Sequence, residues 1–156
     1  MNEMIARASL AQAKASDPAA SVFVSANAGT GKTKLLTDRV LRLLLSDAPA
    51  DGILCVTYTR AAAAEMRNRI FKRLADWATI PAKALGEDLA NMGIVTPSQD
   101  MRRRARSLFA NILDNDDGPR VETVHSFCQS ILRRFPIEAG VAPHVKLADD
   151  DEQSRL

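Results

Sequence analysis

The chain has 156 residues, 46% of them hydrophobic and 26% charged, with a formal net charge of +2. That is the make-up of one ordinary globular domain with its own core, and it contains no apolar run long enough to span a membrane. Aromatic residues make up 4%, which excludes an extended aromatic platform for bases; a charge of +2 does not establish nucleic-acid binding, since local clusters matter more than the total.

In chain order, residues 2–16 read as a helix with Ile5, Leu10 and Ala13 on one side, broken at Asp17-Pro18. The first residues lack the apolar centre and cleavage site of a signal peptide, so a cytoplasmic protein is expected. Val22-Phe23-Val24 reads as a strand. It feeds the loop Ala26-Asn27-Ala28-Gly29-Thr30-Gly31-Lys32-Thr33. Leu35, Leu36, Val40, Leu41 and Leu44 then follow at helical spacing to about Leu45. Strand, glycine-bearing loop and helix in this order fit the phosphate-binding pattern, with Ala26 where glycine is more usual. Gly29 and Gly31 let the backbone turn with its N–H groups pointing inward, where a side chain would collide with phosphate. Lys32 reaches the β and γ phosphates, the Thr33 hydroxyl can hold Mg²⁺, and the helix aims its positive end at the anion. The plainer alternative is a glycine turn between two core elements with an exposed lysine.

Ile53 to Thr57 is a short unalternating apolar run, as in a parallel strand covered on both faces. A helix follows from Ala61 to Trp77, with Ala63, Met66, Ile70, Leu74 and Trp77 on one stripe. Pro81 closes it, and Ala82 to Asn91 forms a short helix. Pro97 starts another, with Met101, Ala105, Leu108, Phe109 and Ile112 inward. Asp114 to Pro119 is a turn. Val121 to Thr123 reads as a third strand. A helix from His125 to Phe135 carries the apolar Phe127, Ile131 and Leu132, and Pro136 ends it. Val145 to Leu147 reads as one more strand before a charged tail, residues 149–156. Strands alternating with helices predict an α/β fold with a parallel sheet. The run Arg102 to Arg106 is either a solvated helix face or a contact for a nucleic-acid backbone. Cys55 and Cys128 lie far apart in apolar patterns and read as buried, reduced thiols.

Three stretches together resemble the superfamily 1 DNA helicases of the UvrD/Rep type: the phosphate loop Ala26 to Thr33 with Leu36 and Arg39; Val56-Thr57-Tyr58-Thr59-Arg60-Ala61-Ala62-Ala63-Ala64-Glu65-Met66; and Val121-Glu122-Thr123-Val124-His125-Ser126-Phe127-Cys128. The phrases from Ala15 to Gly29 and from Leu132 to Gly140 resemble the AddA branch, the helicase–nuclease subunits of bacterial double-strand-break repair. The resemblance implies a P-loop, RecA-like parallel sheet flanked by helices. It covers residues 1–156 as an incomplete N-terminal motor domain, with ATP and Mg²⁺ as cofactors.

It also implies roles. Gln12 sits where these helicases place a glutamine that reads adenine; the alternative is a solvent-facing glutamine. Arg39 matches an arginine near the nucleotide, or is an exposed helix arginine. Thr57, Tyr58 and Thr59 match residues lining a single-strand path, with Tyr58 either offering a face to a base or closing the sheet edge. The family often has asparagine and lysine where this chain has Arg60 and Ala61; Arg60 can still meet phosphate. Thr123, His125 and Ser126 match phosphate-binding residues at a strand-to-helix junction, the alternative being Thr123 as a helix cap and Phe127 in the core. No nucleophile or partner acid supports a triad through His125. The partners implied by the resemblance are single-stranded DNA and a second, AddB-like protein of the same complex, with no membrane. A motor of this kind also needs an acid pair and an arginine from a second domain. Asp149 to Glu152 reads as a polar tail, not that pair. The expectation is a piece of a longer helicase that binds ATP without rapid hydrolysis or unwinding. The alternative is a stand-alone nucleotide-binding module or an inactive remnant.

Overall fold

An apolar stripe of Ala63, Met66, Ile70, Leu74 and Trp77 runs down one face of the longest helix and is buried along its whole length. The computed structural model that shows this describes residues 10–25, 31–115 and 118–142. In order, the elements are α1 (residues 10–15), α2 (Lys32–Leu45), a short 3-10 turn (Ala50–Gly52), β1 (Leu54–Thr57), α3 (Arg60–Thr79), α4 (Ala82–Asn91), α5 (Gln99–Asn115), β2 (Arg120–Thr123) and α6 (Val124–Arg134). The α3 stripe packs along α5. Ala105, Leu108 and Ile112 of α5 share one core with Leu41, Leu44 and Leu45 of α2 and with Leu85 and Leu89 of α4.

Among the described residues the sheet has two strands. β1 and β2 run parallel, with Leu54 opposite Arg120, Cys55 opposite Val121, Val56 opposite Glu122 and Thr57 opposite Thr123. Parallel neighbours need a long crossover, and α3, α4 and α5 supply it. The observed fold is therefore helix-rich with a small parallel sheet, in keeping with the α/β expectation.

Helix ends are closed by specific chemistry. After α4, Gly93 takes φ 89°, its N–H donates to Ala90 O (2.9 Å), and that of Ile94 donates to Leu89 O (3.0 Å). After α2, Asp47 takes the same left-handed turn at φ 68°, with Ala48 N–H donating to Leu43 O (3.1 Å). Arg104 meets both features: it donates to Leu45 O (2.9 Å) and lies 3.2 Å from the Asp47 carboxylate.

A polar clamp joins three helices. Asp88 of α4 accepts from Arg73 Nε (2.6 Å), Arg73 Nη2 (2.8 Å) and the Trp77 indole N–H (2.6 Å). Arg73 also approaches Asp38 of α2 at 3.4 Å, and Lys34 holds the same carboxylate at 2.6 Å.

Several expectations are corrected. Residues 21–25 are irregular, not a strand, and Phe23 is 93% exposed. A strand needs a neighbour for its ladder hydrogen bonds, and among the described residues β1 and β2 pair only with each other. β1 is not covered on both faces. Side chains alternate across a strand, and here Cys55 packs on the core while Leu54 and Val56 stay exposed. α6 fully buries no residue, so Ile131 and Leu132 remain exposed and Phe127 half-buried. α5 continues to Asn115, into the expected turn. Cys128 is exposed; Cys55 is half-buried, and that burial pushes its thiol pKa up, keeping it protonated at neutral pH. The start of the first helix, the Val145–Leu147 strand and the 149–156 tail lie outside the described residues. No helix among the described residues is long and apolar enough to cross a membrane.

Trp77 is the only tryptophan, so its emission reports on the clamp. Asp88→Ala removes the acceptor of three bonds at a partly solvated site. It is expected to lower stability by about 1–3 kcal/mol in urea unfolding followed at Trp77.

Candidate functional site

α2 begins at Gly31, which takes φ 87°. That left-handed backbone suits glycine. Lys32 and Thr33 form the first helical residues and are half-buried. Gly31 brings no side chain to cap this end, and the first turn of α2 holds no acid to offset the positive end of the helix. Of the expected phosphate loop, Ala26, Asn27, Ala28, Gly29 and Thr30 lie outside the described residues.

Gln12 comes to this end of α2. Its side-chain Nε2 lies 3.6 Å from where a Cβ on Gly31 would stand. Arg39, two turns along α2, is half-buried and not the free surface arginine of the plainer expectation. Its guanidinium donates to Ala15 O (3.3 Å), Asp17 O (2.6 Å) and Ala20 O (2.6 Å). It thereby holds the loop that links Gln12 to residues 21–25. A cleft of about 450 Å³ opens beside it, lined by Val22, Val24, Lys32, Leu35 and Leu36 among others.

The second group of residues gathers at the C-terminal ends of the two strands. The register puts Thr57 beside Thr123. β2 passes straight into α6, β1 reaches α3 after Tyr58 and Thr59, and ligands of parallel sheets bind at such ends. Thr59 caps α3 by accepting from Ala62 N–H (3.1 Å), and Thr57 Oγ1 donates to Thr59 O (3.0 Å). Thr123 caps α6 by accepting from Ser126 N–H (3.1 Å), with Ser126 Oγ 2.9 Å away. Thr123 is buried, so the capping alternative describes its side chain. Tyr58 is 89% exposed and closes no sheet edge. Arg60, His125 and Ser126 are exposed beside the two junctions. Neither α3 nor α6 has an acid in its first turn, so two positive helix ends meet solvent on one face.

The arginine run on α5 takes neither expected role in full. Arg104 and Arg106 turn inward to Leu45 O and Trp77 O (2.8 Å), while Arg103 pairs with Asp100. The signal was their place on either side of Ala105, the position buried completely. Arg42 and Asp38 were also missed, because charged residues on a helix read by default as solvent-facing.

A family model described as UvrD/REP helicase N-terminal domain matches residues 8–156. A Lactobacillus gasseri protein, by its name the A-type subunit of an ATP-dependent helicase/nuclease, is 31% identical over 140 residues, which cover 90% of this chain and 10% of that protein. Proteins of the same name from Enterococcus faecalis and Pelotomaculum thermopropionicum are 33% and 34% identical, each over 86% of this chain and 9% of their own length. The chain thus spans about a tenth of the length of these curated relatives.

The caps give a direct test of this geometry. Thr123→Ala is expected to cost about 0.5–2 kcal/mol. It should speed amide exchange at Ser126 while leaving the α3 amides unchanged.

Proposed function

The chain belongs to the UvrD/REP helicase N-terminal domain family, and from that premise we propose that it is the ATP-binding portion of an AddA-type DNA helicase of double-strand-break repair. The observation that carries the reading is the pairing of Thr57 with Thr123, which joins two strand-to-helix junctions into one face with exposed hydroxyl, imidazole, guanidinium and phenol groups. A nucleotide site alone would serve many hydrolases. The added face fits a single-stranded nucleic acid, whose phosphates favour helix N-termini and whose bases stack on an aromatic ring.

In this reading the small parallel sheet is part of a RecA-like sheet, and residues 1–156 form part of the first motor domain. Residues 26–30 belong to the phosphate site on the strength of their sequence pattern. Lys32 neutralises the β and γ phosphates, and the Thr33 hydroxyl offers an oxygen to Mg²⁺. The left-handed Gly31 and an acid-free first turn support an anion at this end of α2. An Mg²⁺ ion there would take the Thr33 hydroxyl as an oxygen ligand and would offset phosphate charge. Gln12 faces the adenine edge, where an amide both donates and accepts. Arg39 holds the loop beside the nucleotide.

Thr57, Tyr58, Thr59 and Arg60, with His125 and Ser126, form the single-strand track, and the buried Thr123 supports it as the cap of α6. Tyr58 stacks on a base; Arg60 and the exposed His125 and Ser126 meet phosphates. Hydrolysis and stepping along DNA belong to the whole helicase, in which motor domains close around ATP and change the grip on the strand. A second, AddB-like protein is the proposed protein partner.

The test is a titration of the 156-residue chain with a fluorescent ATP analogue and Mg²⁺. Lys32→Ala is expected to weaken binding about ten- to a hundredfold; equal affinity in the two proteins refutes the nucleotide site. In parallel, Tyr58→Ala should weaken single-stranded DNA binding by about 1–3 kcal/mol. The affinity itself should fall with rising salt.

A further inference from the structure

Beyond the nucleotide contacts, the structure contains a clamp that sets the pose of α1. Arg42 lies on α2, three residues after Arg39, with its side chain 14% exposed. Its Nη1 donates to Ala13 O (2.8 Å), to Ser16 Oγ (2.9 Å) and to Met92 O (3.1 Å). Ala13 and Ser16 stand at the C-terminal end of α1, and Met92 at that of α4. Both ends carry negative partial charge and carbonyls without helical partners, so one guanidinium serves two helices. Ser16 is itself buried, and its hydroxyl donates to Ala13 O (3.0 Å). The Asp17 carboxylate lies 3.9 Å away and is half exposed, so the charge of Arg42 is met mainly by main-chain oxygens.

The junction leaves no slack. A Cβ at Gly93 would stand 3.0 Å from Ala13 Cβ and 3.4 Å from Arg42 Nη1. Gly93 is needed there for its positive φ and for this close approach. Gln12 directly precedes Ala13, about 100° around the helix, and its amide abuts Gly31. A turn of α1 about its axis would swing that amide away from the start of α2.

We propose that Arg42 is a positioning residue for the base of a bound adenine nucleotide: by clamping the end of α1 to α2 and α4, it fixes where Gln12 presents its amide. This rests on the reading of Gln12 and Lys32 given above. Arg42 reaches main-chain oxygens and Ser16, so its effect on the base passes through α1. The phosphates are held by other residues. Losing Arg42 therefore costs base selectivity and spares the grip on phosphate.

The experiment is competition against a bound fluorescent ATP analogue, with Mg²⁺, by ATP, GTP and inorganic tripolyphosphate, in the 156-residue chain. Arg42→Met should lower the preference for ATP over GTP about tenfold, to the level of Gln12→Ala. Tripolyphosphate affinity should change less than about twofold. The double variant should be no less selective than Gln12→Ala alone, since both act on one contact. Ser16→Ala, which keeps Arg42 but removes one of its acceptors, should lose part of the preference, and it decides the matter by the same criteria if Arg42→Met fails to fold. Undiminished preference in Arg42→Met and Ser16→Ala, beside its loss in Gln12→Ala, overturns the proposal. So does a matching loss of ATP and tripolyphosphate affinity, the mark of a merely structural residue, or the absence of any preference in the parent chain. If instead Lys32→Ala binds every competitor as the parent does, the nucleotide site itself is what fails.

Discussion

Each helix ends with carbonyls that its own backbone cannot satisfy, and at the ends of α1 to α4 arginines from neighbouring helices meet them. Arg39 and Arg42 serve α1, Arg42 also serves α4, Arg104 serves α2, and Arg106 serves α3. The cation meets the negative end of the helix dipole, so hydrogen bond and field act together. The planar fork of arginine reaches several oxygens from one anchor, as Arg39 and Arg42 both do; a lysine would not hold the same geometry. Apolar stripes bring the helices together, but burial is non-directional. The arginine contacts add direction, tying α1 to α2, α2 to α4 and α5, and α5 to α3 at defined points.

This has a direct bearing on the candidate site. α2 is the shared member: its first turn offers Lys32 and Thr33, its middle holds α1 through Arg39 and Arg42, and its end is held by Arg104. The strand face is set differently. There the sheet register aligns two threonines, and each strand leads within two residues to a threonine-capped helix. Two independent devices, arginine struts and capped strand ends, therefore place the two groups of candidate residues.

Much of this was legible in the sequence, and the reasons differ by element. The stripe from Ala63 to Trp77 was readable because a period of 3.6 along a long helix leaves little ambiguity. Both observed strands were found from short apolar runs flanked by turn residues. Val22 to Val24 looks the same locally, yet no described strand pairs with it; pairing is a non-local property that a run of three residues does not encode. The Thr57 and Thr123 motifs were visible as motifs, but their side-by-side placement depends on register across three intervening helices. The struts were hidden for another reason. An arginine aimed at a carbonyl and one aimed at water have the same spacing in a helical pattern, and only the neighbour's position separates them.

The crossover between β1 and β2 has a kinetic consequence. Contacts of α3 with α4 and α5 close short loops, whereas the strands must meet across all three helices and lose more chain entropy in doing so. The strand pairing therefore shares the high closure cost of the α2–α5 contact, where Arg104 meets Leu45 O. The face that unites Thr57, Tyr58 and Thr123 therefore exists only once two segments far apart in the chain have met.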